Sequence, residues 1–142
     1  MNPTIDKFGY PATLVREFVH WVVLLRPAQA TLGALVLAAK SDATAFSQLP
    51  AEAFAELHDA VGAIERGLMA FRPFERINYL MLMMVDRNVH FHIIPRYSDP
   101  QQWDGTQFPD AGWPGPPLLG EAVALGGAQI AGLTRELGKR IT

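Results

Sequence analysis

Residues 88–96 read NVHFHIIPR, and this stretch decides how the whole chain is interpreted. Its mixture of β-branched, aromatic and alternating polar residues is typical of a strand. Alternate side chains of a strand lie on one face, so Asn88, His90 and His92 form a row with about 7 Å between neighbours. The residues between them are apolar and face the core. The pattern predicts a strand that displays an amide and two imidazoles on one face and ends at Arg96.

The preceding segment, residues 77–85 (INYLMLMMV), predicts the neighbouring strand. Only Asp86 and Arg87 separate it from residues 88–96, so the two segments are expected to form an antiparallel hairpin. Its three methionines also suit a helix, because methionine favours helices and packs in any environment. We prefer a strand, since the partner segment is clearly strand-like.

Upstream of this hairpin, the chain predicts two further strands and one long helix. Residues 13–26 and 34–40 are rich in apolar and β-branched residues, and a turn at residues 27–33 makes them antiparallel. In residues 50–70 the apolar side chains recur at steps of three and four, which predicts a helix with one buried face. Residues 1–11, with two prolines and a glycine, are expected to form an irregular arm.

Downstream of the hairpin, residues 98–118 contain five prolines, three glycines and two tryptophans and predict a long loop. Residues 119–142 predict a C-terminal helix, although Gly126-Gly127 weakens it. The expected architecture is a single α+β domain over residues 1–142, with its core at about 13–97. Its helices cover one face of an antiparallel sheet of about five strands.

Composition excludes several classes of function. Of the 142 residues, 49% are hydrophobic and 18% are charged, and the net charge of −2 argues against nucleic-acid binding or a basic membrane patch. The absence of cysteine rules out disulfides and thiolate zinc sites. Residues 1–10 lack the apolar region of a signal peptide and no apolar run reaches bilayer length, so we expect neither a signal peptide nor a membrane span. We therefore expect a cytoplasmic protein without membrane or nucleic-acid partners.

Three interpretations of the His90–His92 pair compete. Both imidazoles could lie on a solvated sheet face. They could bind zinc, but no third ligand follows at a suitable spacing, since Arg96 and Tyr97 stand there. They could also act on phosphorus: an imidazole that donates one N–H to a backbone carbonyl can attack with its other nitrogen. The second imidazole can then give a proton to the leaving oxygen.

NVHFHIIPR resembles the signature of the histidine triad family, His-x-His-x-His-x-x-Pro-Arg with apolar x. The family's nucleophile lies five residues before the proline, which corresponds to His90. His92 then matches the third histidine, and Asn88 stands in place of the first. Asn78, twelve residues before His90, matches an asparagine of the bacterial dinucleoside-polyphosphate hydrolase-like branch.

The resemblance implies the histidine triad fold, usually a homodimer, and the hydrolysis or transfer of a nucleotidyl group through a covalent intermediate on histidine. It implies roles for five residues. His90 would attack, His92 would protonate the leaving group and Asn88 would orient the nucleophile, while Asn78 and Arg96 would contact ribose or phosphate. No cofactor is implied, although magnesium could accompany the phosphates.

The sequence also departs from the family's pattern. Besides Asn88, alanine follows Gly33 where many members have histidine, and Met83-Met84 replace a polar pair that helps to bind phosphate. The alternative function is therefore a degenerate histidine triad protein that binds or senses nucleotides without turnover.

Overall fold

The computed structural model describes residues 1–142. Its helices are α1 (Pro3–Lys7), α2 (Ala51–Phe71) and α3 (Gly127–Arg140). Its strands are β1 (Leu14–Glu17), β2 (Trp21–Leu25), β3 (Ala28–Gln29), β4 (Leu35–Ala39), β5 (Arg76–Leu80), β6 (His90–Arg96), β7 (Gln101–Trp103), β8 (Thr106–Phe108) and β9 (Val123–Ala124). No helix is both long enough and apolar enough to cross a bilayer.

Five strands form one antiparallel sheet in the order β1-β2-β4-β6-β5. The other four strands form two short ladders, β3 with β9 and β7 with β8. The predicted α+β class with a five-stranded antiparallel sheet is confirmed. The long helix α2 lies within one residue of its predicted bounds at each end.

The prediction of one strand over residues 13–26 is wrong, because the chain reverses inside it. Residues 18–20 form the turn between β1 and β2, and the Phe18 N–H donates to the carbonyl of Trp21 at 2.8 Å. The only local sign of the reversal is the change from the half-polar β1, which ends in Arg16 and Glu17, to the wholly apolar β2. The second half, β2, is fully buried between two layers, as its continuous apolar run suggests.

The predicted tight hairpin around Asp86-Arg87 is also wrong. β5 and β6 are antiparallel neighbours, but β5 ends at Leu80 and β6 begins only at His90, so residues 81–89 form a longer connection. Met83 has a φ of 51°, in the left-handed region, which an extended strand cannot accommodate. Asn88 therefore precedes the strand instead of lying on it.

The sheet is covered on both faces. Helices α2 and α3 pack on one face, over a core that includes Trp21, Ile64 and Leu137. The other face receives α1, whose Ile5 packs against β2 and β4. The expected irregular arm thus contains a short helix, and its first turn is capped by Asn2 Oδ1, which accepts from the Ile5 N–H at 2.9 Å.

The C-terminal part is more structured, and its helix shorter, than predicted. The loop over residues 98–118 contains the β7–β8 hairpin, and α3 begins at Gly127 with Gly126 as its N-cap. The glycine pair therefore marks the start of the helix rather than interrupting it. In residues 119–126, β9 pairs with β3 beside the turn that leads into β4.

Candidate functional site

His90 and His92 lie side by side on β6, on the sheet face that α1 covers. The two ring centroids are 5.1 Å apart. Phe8, directly after α1, packs its ring against both imidazoles, at 5.9 Å from His90 and 5.6 Å from His92. Only 2% of His90 and 7% of His92 is exposed, so this face is not a solvated surface.

The tautomer of His90 follows from its hydrogen bond. Its Nδ1 lies 2.7 Å from the backbone carbonyl oxygen of Asn88. A carbonyl only accepts, so Nδ1 carries the proton and donates. The neutral ring then has its lone pair on Nε2, which is the arrangement a nitrogen nucleophile needs.

His92 is held in its neutral form. Its Nδ1 is buried without a hydrogen-bond partner. Burial, with smaller contributions from the charges of Arg26 and His90, lowers the pKa of His92 to about 4. Without a ligand, His92 is therefore uncharged at neutral pH.

This lowered pKa predicts acid sensitivity. Between about pH 6.5 and pH 4 the unfolded chain binds a proton at His92 that the folded chain does not, so stability falls as the pH falls. We expect His92 to reduce the free energy of unfolding by about 2 kcal/mol between pH 8 and pH 5. Urea titrations of the native protein and of His92→Gln at both pH values measure this. An equal pH dependence in the two proteins would contradict it.

The pair opens into a cavity of about 310 Å³. Its lining is Lys7, Phe8, Arg26, Leu82, Met83, Met84, Val85, Asp86, His90 and His92. The two cations, Lys7 and Arg26, were missed by the sequence analysis. Arg26 had one available signal, a charged residue at the end of an otherwise apolar strand, whereas nothing local distinguishes Lys7.

Asn88 supports the site through its backbone, while its side chain faces the N-terminal arm. The side-chain Oδ1 accepts from the Thr4 hydroxyl at 3.0 Å and from the Thr4 N–H at 3.3 Å. Its Nδ2 donates to the carbonyl of Asp42 at 3.1 Å. The side chain thus fixes the arm and the chain segment that carries the carbonyl acceptor of His90.

Asn88→Ala is expected to loosen the N-terminal arm, because it removes the hydrogen bonds from the Asn88 side chain to Thr4. Losing these buried hydrogen bonds should cost about 1–3 kcal/mol of stability and leave the fold intact. We expect amide hydrogen exchange to accelerate in residues 3–8. Unchanged exchange in the arm would refute the anchoring role.

Asn78 and Arg96 lie away from the two histidines, towards the other end of the same strands. Arg96 is six residues from His90 along β6, a distance of about 20 Å. Only 4% of Arg96 is exposed, and it forms a bidentate ion pair with Asp110 at 2.7 and 3.0 Å. It also donates to Asn78 Oδ1 at 2.7 Å and to the Gly115 carbonyl at 2.9 Å. The structure thus joins Asn78 and Arg96 to the proline-rich loop.

A separate cavity of about 450 Å³ borders these two residues, with Trp113 on its wall. The structure contains no group of three or more histidine, cysteine, aspartate or glutamate side chains that could hold a metal ion, and the histidine pair belongs to no such group.

Solved structures resemble the whole chain. A histidine triad protein from Sinorhizobium meliloti 1021 superposes with a TM-score of 0.76 at 18% identity, covering 99% of this chain and 95% of that one. A hypothetical histidine triad nucleotide-binding protein from Sulfolobus tokodaii strain 7 superposes with a TM-score of 0.67 at 18% identity, covering 97% and 89%. A histidine triad protein from Marinobacter aquaeolei VT8 reaches a TM-score of 0.65 at 18% identity, covering 96% of both chains.

At these identities the comparison establishes the fold, which is that of the histidine triad proteins. No protein-family model and no curated protein sequence matches the chain.

Proposed function

We propose that this protein transfers or hydrolyses nucleotidyl groups through a covalent intermediate on His90. The observation that carries the proposal is the hydrogen bond from His90 Nδ1 to the Asn88 carbonyl, which leaves Nε2 as a nucleophile in a cavity with two cations. A nucleotide supplies both an electrophilic phosphorus and an anionic chain for Lys7 and Arg26 to bind.

The proposed reaction has two steps. His90 Nε2 attacks the phosphorus of the nucleoside monophosphate unit, the P–N bond forms, and the bond from phosphorus to the leaving group breaks. The Nδ1 proton stays on the ring and continues to donate to Asn88, which stabilises the positive charge that develops there. Water, or another acceptor, then attacks phosphorus: a P–O bond forms, the P–N bond breaks and frees the imidazole, and His92, which gave up its proton in the first step, takes the proton that the attacking oxygen loses.

His92 is the proposed donor of the proton that the leaving group takes. It lies directly beside His90, and its ring is neutral before substrate binds. A bound polyphosphate places negative charge near His92, which raises its pKa and favours the protonated form. We propose no protein-bound metal in either step; magnesium would arrive with the substrate's phosphates.

The experiment is a trapping assay with an α-³²P-labelled nucleotide or dinucleoside polyphosphate. The protein is quenched in base during turnover, and peptide mapping locates the label. An acid-labile label on His90 is the expected result. If the protein binds a nucleotide but yields neither label nor product, the result supports the alternative, a nucleotide-binding protein without turnover. That alternative is motivated by Asn88, which stands where the family has its first histidine.

We also propose a homodimer, because β5 forms a free edge of the sheet. Light scattering at micromolar concentration is expected to give about twice the 15.6 kDa of one chain. A mass equal to one chain would contradict the dimer.

A further inference from the structure

Residues 81–89, which connect β5 to β6, supply half of the lining of the histidine cavity. The five lining residues from this connection are Leu82, Met83, Met84, Val85 and Asp86. The N-terminal arm contributes Lys7 and Phe8. His90 and His92 are almost fully buried, so the positions of these two segments decide whether a ligand reaches either imidazole.

Of the two segments, the arm is firmly held. Ile5 is fully buried against the sheet. The Asn2 side chain donates to the Ala39 carbonyl at 2.9 Å, and Thr4 is bound by the Asn88 side chain. Moving the arm would break these buried contacts together, which makes the arm the fixed wall of the cavity.

Residues 82–86 are held much more weakly. They form no backbone hydrogen bond, and their one side-chain hydrogen bond joins Asp86 to Lys7. Met83 packs partly against the core, but its φ of 51° strains a residue other than glycine. Three apolar side chains of this segment are at least half exposed: Leu82, Met84 and Val85. A segment with so few contacts opens at a low free-energy cost.

The ion pair between Lys7 and Asp86 joins this weakly held segment to the arm. Lys7 Nζ lies 2.8 Å from Asp86 Oδ1, with 51% of the lysine side chain exposed. An ion pair this close to solvent adds little to stability, so it can break while the fold stays intact. Lys7, Val85 and Asp86 also line a second cavity of about 400 Å³, which places the ion pair on the boundary between the two cavities.

We propose that residues 82–86 are a lid over the histidine pair and that the Lys7–Asp86 ion pair is its latch. While the latch is closed, the lid separates the two cavities. When the latch breaks, the cavities join and both imidazoles become accessible. The latch therefore controls access to His90 whatever reaction follows, and only its effect on turnover rests on the nucleotidyl transfer proposed above.

Modification by diethyl pyrocarbonate measures this access without turnover. The reagent acylates neutral imidazoles, and peptide mass spectrometry gives separate rates for His58 and for the peptide that contains His90 and His92. His58, with 91% of its side chain exposed, should react fastest. Asp86→Asn should accelerate modification of the buried pair about 2- to 5-fold, as expected for the loss of an exposed ion pair, and leave His58 unchanged. His92 is already neutral at the neutral pH of this assay, so a change of its protonation does not explain the acceleration.

The latch also predicts how variants combine. Lys7→Gln should have the same effect as Asp86→Asn, and the double variant no larger effect, because each of them loses the same ion pair. The matched control is Arg87→Gln, since Arg87 is exposed directly beside the lid and has no ion-pair partner. This control should react like the native protein. An unchanged rate in Asp86→Asn, or an equal acceleration in Arg87→Gln, would overturn the lid.

Covalent closure of the latch provides the opposite test. The native chain contains no cysteine, so a variant with Lys7→Cys and Asp86→Cys can be bridged by a short bifunctional methanethiosulfonate and released by a reductant. Bridging should remove most of the modification of His90 and most of the nucleotide turnover, and the reductant should restore both. Each form is compared with the same variant, so the two lost charges cancel.

The two readouts separate the lid from the reaction. If bridging blocks modification of His90 but neither form turns over a nucleotide, the proposed reaction is wrong and the lid stands. If both forms turn over nucleotides at the same rate, the lid is wrong and the reaction stands.

Discussion

Replacing His90 with alanine is expected to reduce nucleotidyl transfer at least ~1,000-fold, a loss of about 4 kcal/mol in transition-state stabilisation. No other group in the cavity combines a free lone pair with a fixed orientation, because the His90 ring alone is held through Nδ1 by a backbone carbonyl. Steady-state rates on the best nucleotide substrate, together with the trapping assay, measure the effect.

His58→Ala is the matched control, because its imidazole lies on α2 with 91% of the side chain exposed. This variant should retain the native rate. If His90→Ala also kept its rate, or if the label mapped elsewhere, the covalent mechanism would be wrong.

Replacing Asp110 with alanine is expected to cost about 3–5 kcal/mol of stability, the range for breaking one partner of a buried ion pair. The side chains of Arg96 and Asp110 are only 4% and 2% exposed, so the remaining guanidinium would be buried without a counter-charge. Asp110 Oδ2 also accepts from the Tyr97 N–H at 3.2 Å, and this contact is lost as well. Urea unfolding at neutral pH gives the change in free energy.

The control for this prediction is Glu17→Ala, which removes the partner of Lys40 at a partly exposed site, and should cost less than about 1 kcal/mol. The double variant Arg96→Met with Asp110→Leu should recover much of the loss, since it leaves no uncompensated charge. A cost for Asp110→Ala as small as the control would mean that the pair adds little to the fold.

The sequence was informative where one physical signal dominates. Helix α2 was located almost to the residue, because a single apolar face at helical spacing runs through all of it. The alternation around His90 and His92 likewise predicted correctly that both side chains share one face of β6. Both signals are local, and tertiary packing agrees with them.

The positions of the candidate site residues were predicted less accurately where contacts between distant parts of the sequence determine them. Asn88 has the parity of His90, but its hydrogen bonds to Thr4 at the other end of the chain hold it outside the strand. Arg96 is the last residue of the histidine strand, and there it pairs with Asp110 away from the cavity. The cation beside His92 is Arg26, which directly follows β2. Because β2 is distant in sequence, no pattern within residues 88–96 could predict this neighbour.

The anchoring of the arm by Asn88 has a consequence for the order of events during synthesis. Thr4 and Asn88 are 84 positions apart, so a ribosome adding about 5–20 residues per second separates their appearance by roughly 4–17 s. Throughout that interval Phe8 has neither imidazole of β6 to pack against, and Thr4 has no Asn88 to hold it. A nascent chain therefore completes the buried histidine pair and the arm that covers it only after Asn88 has been added.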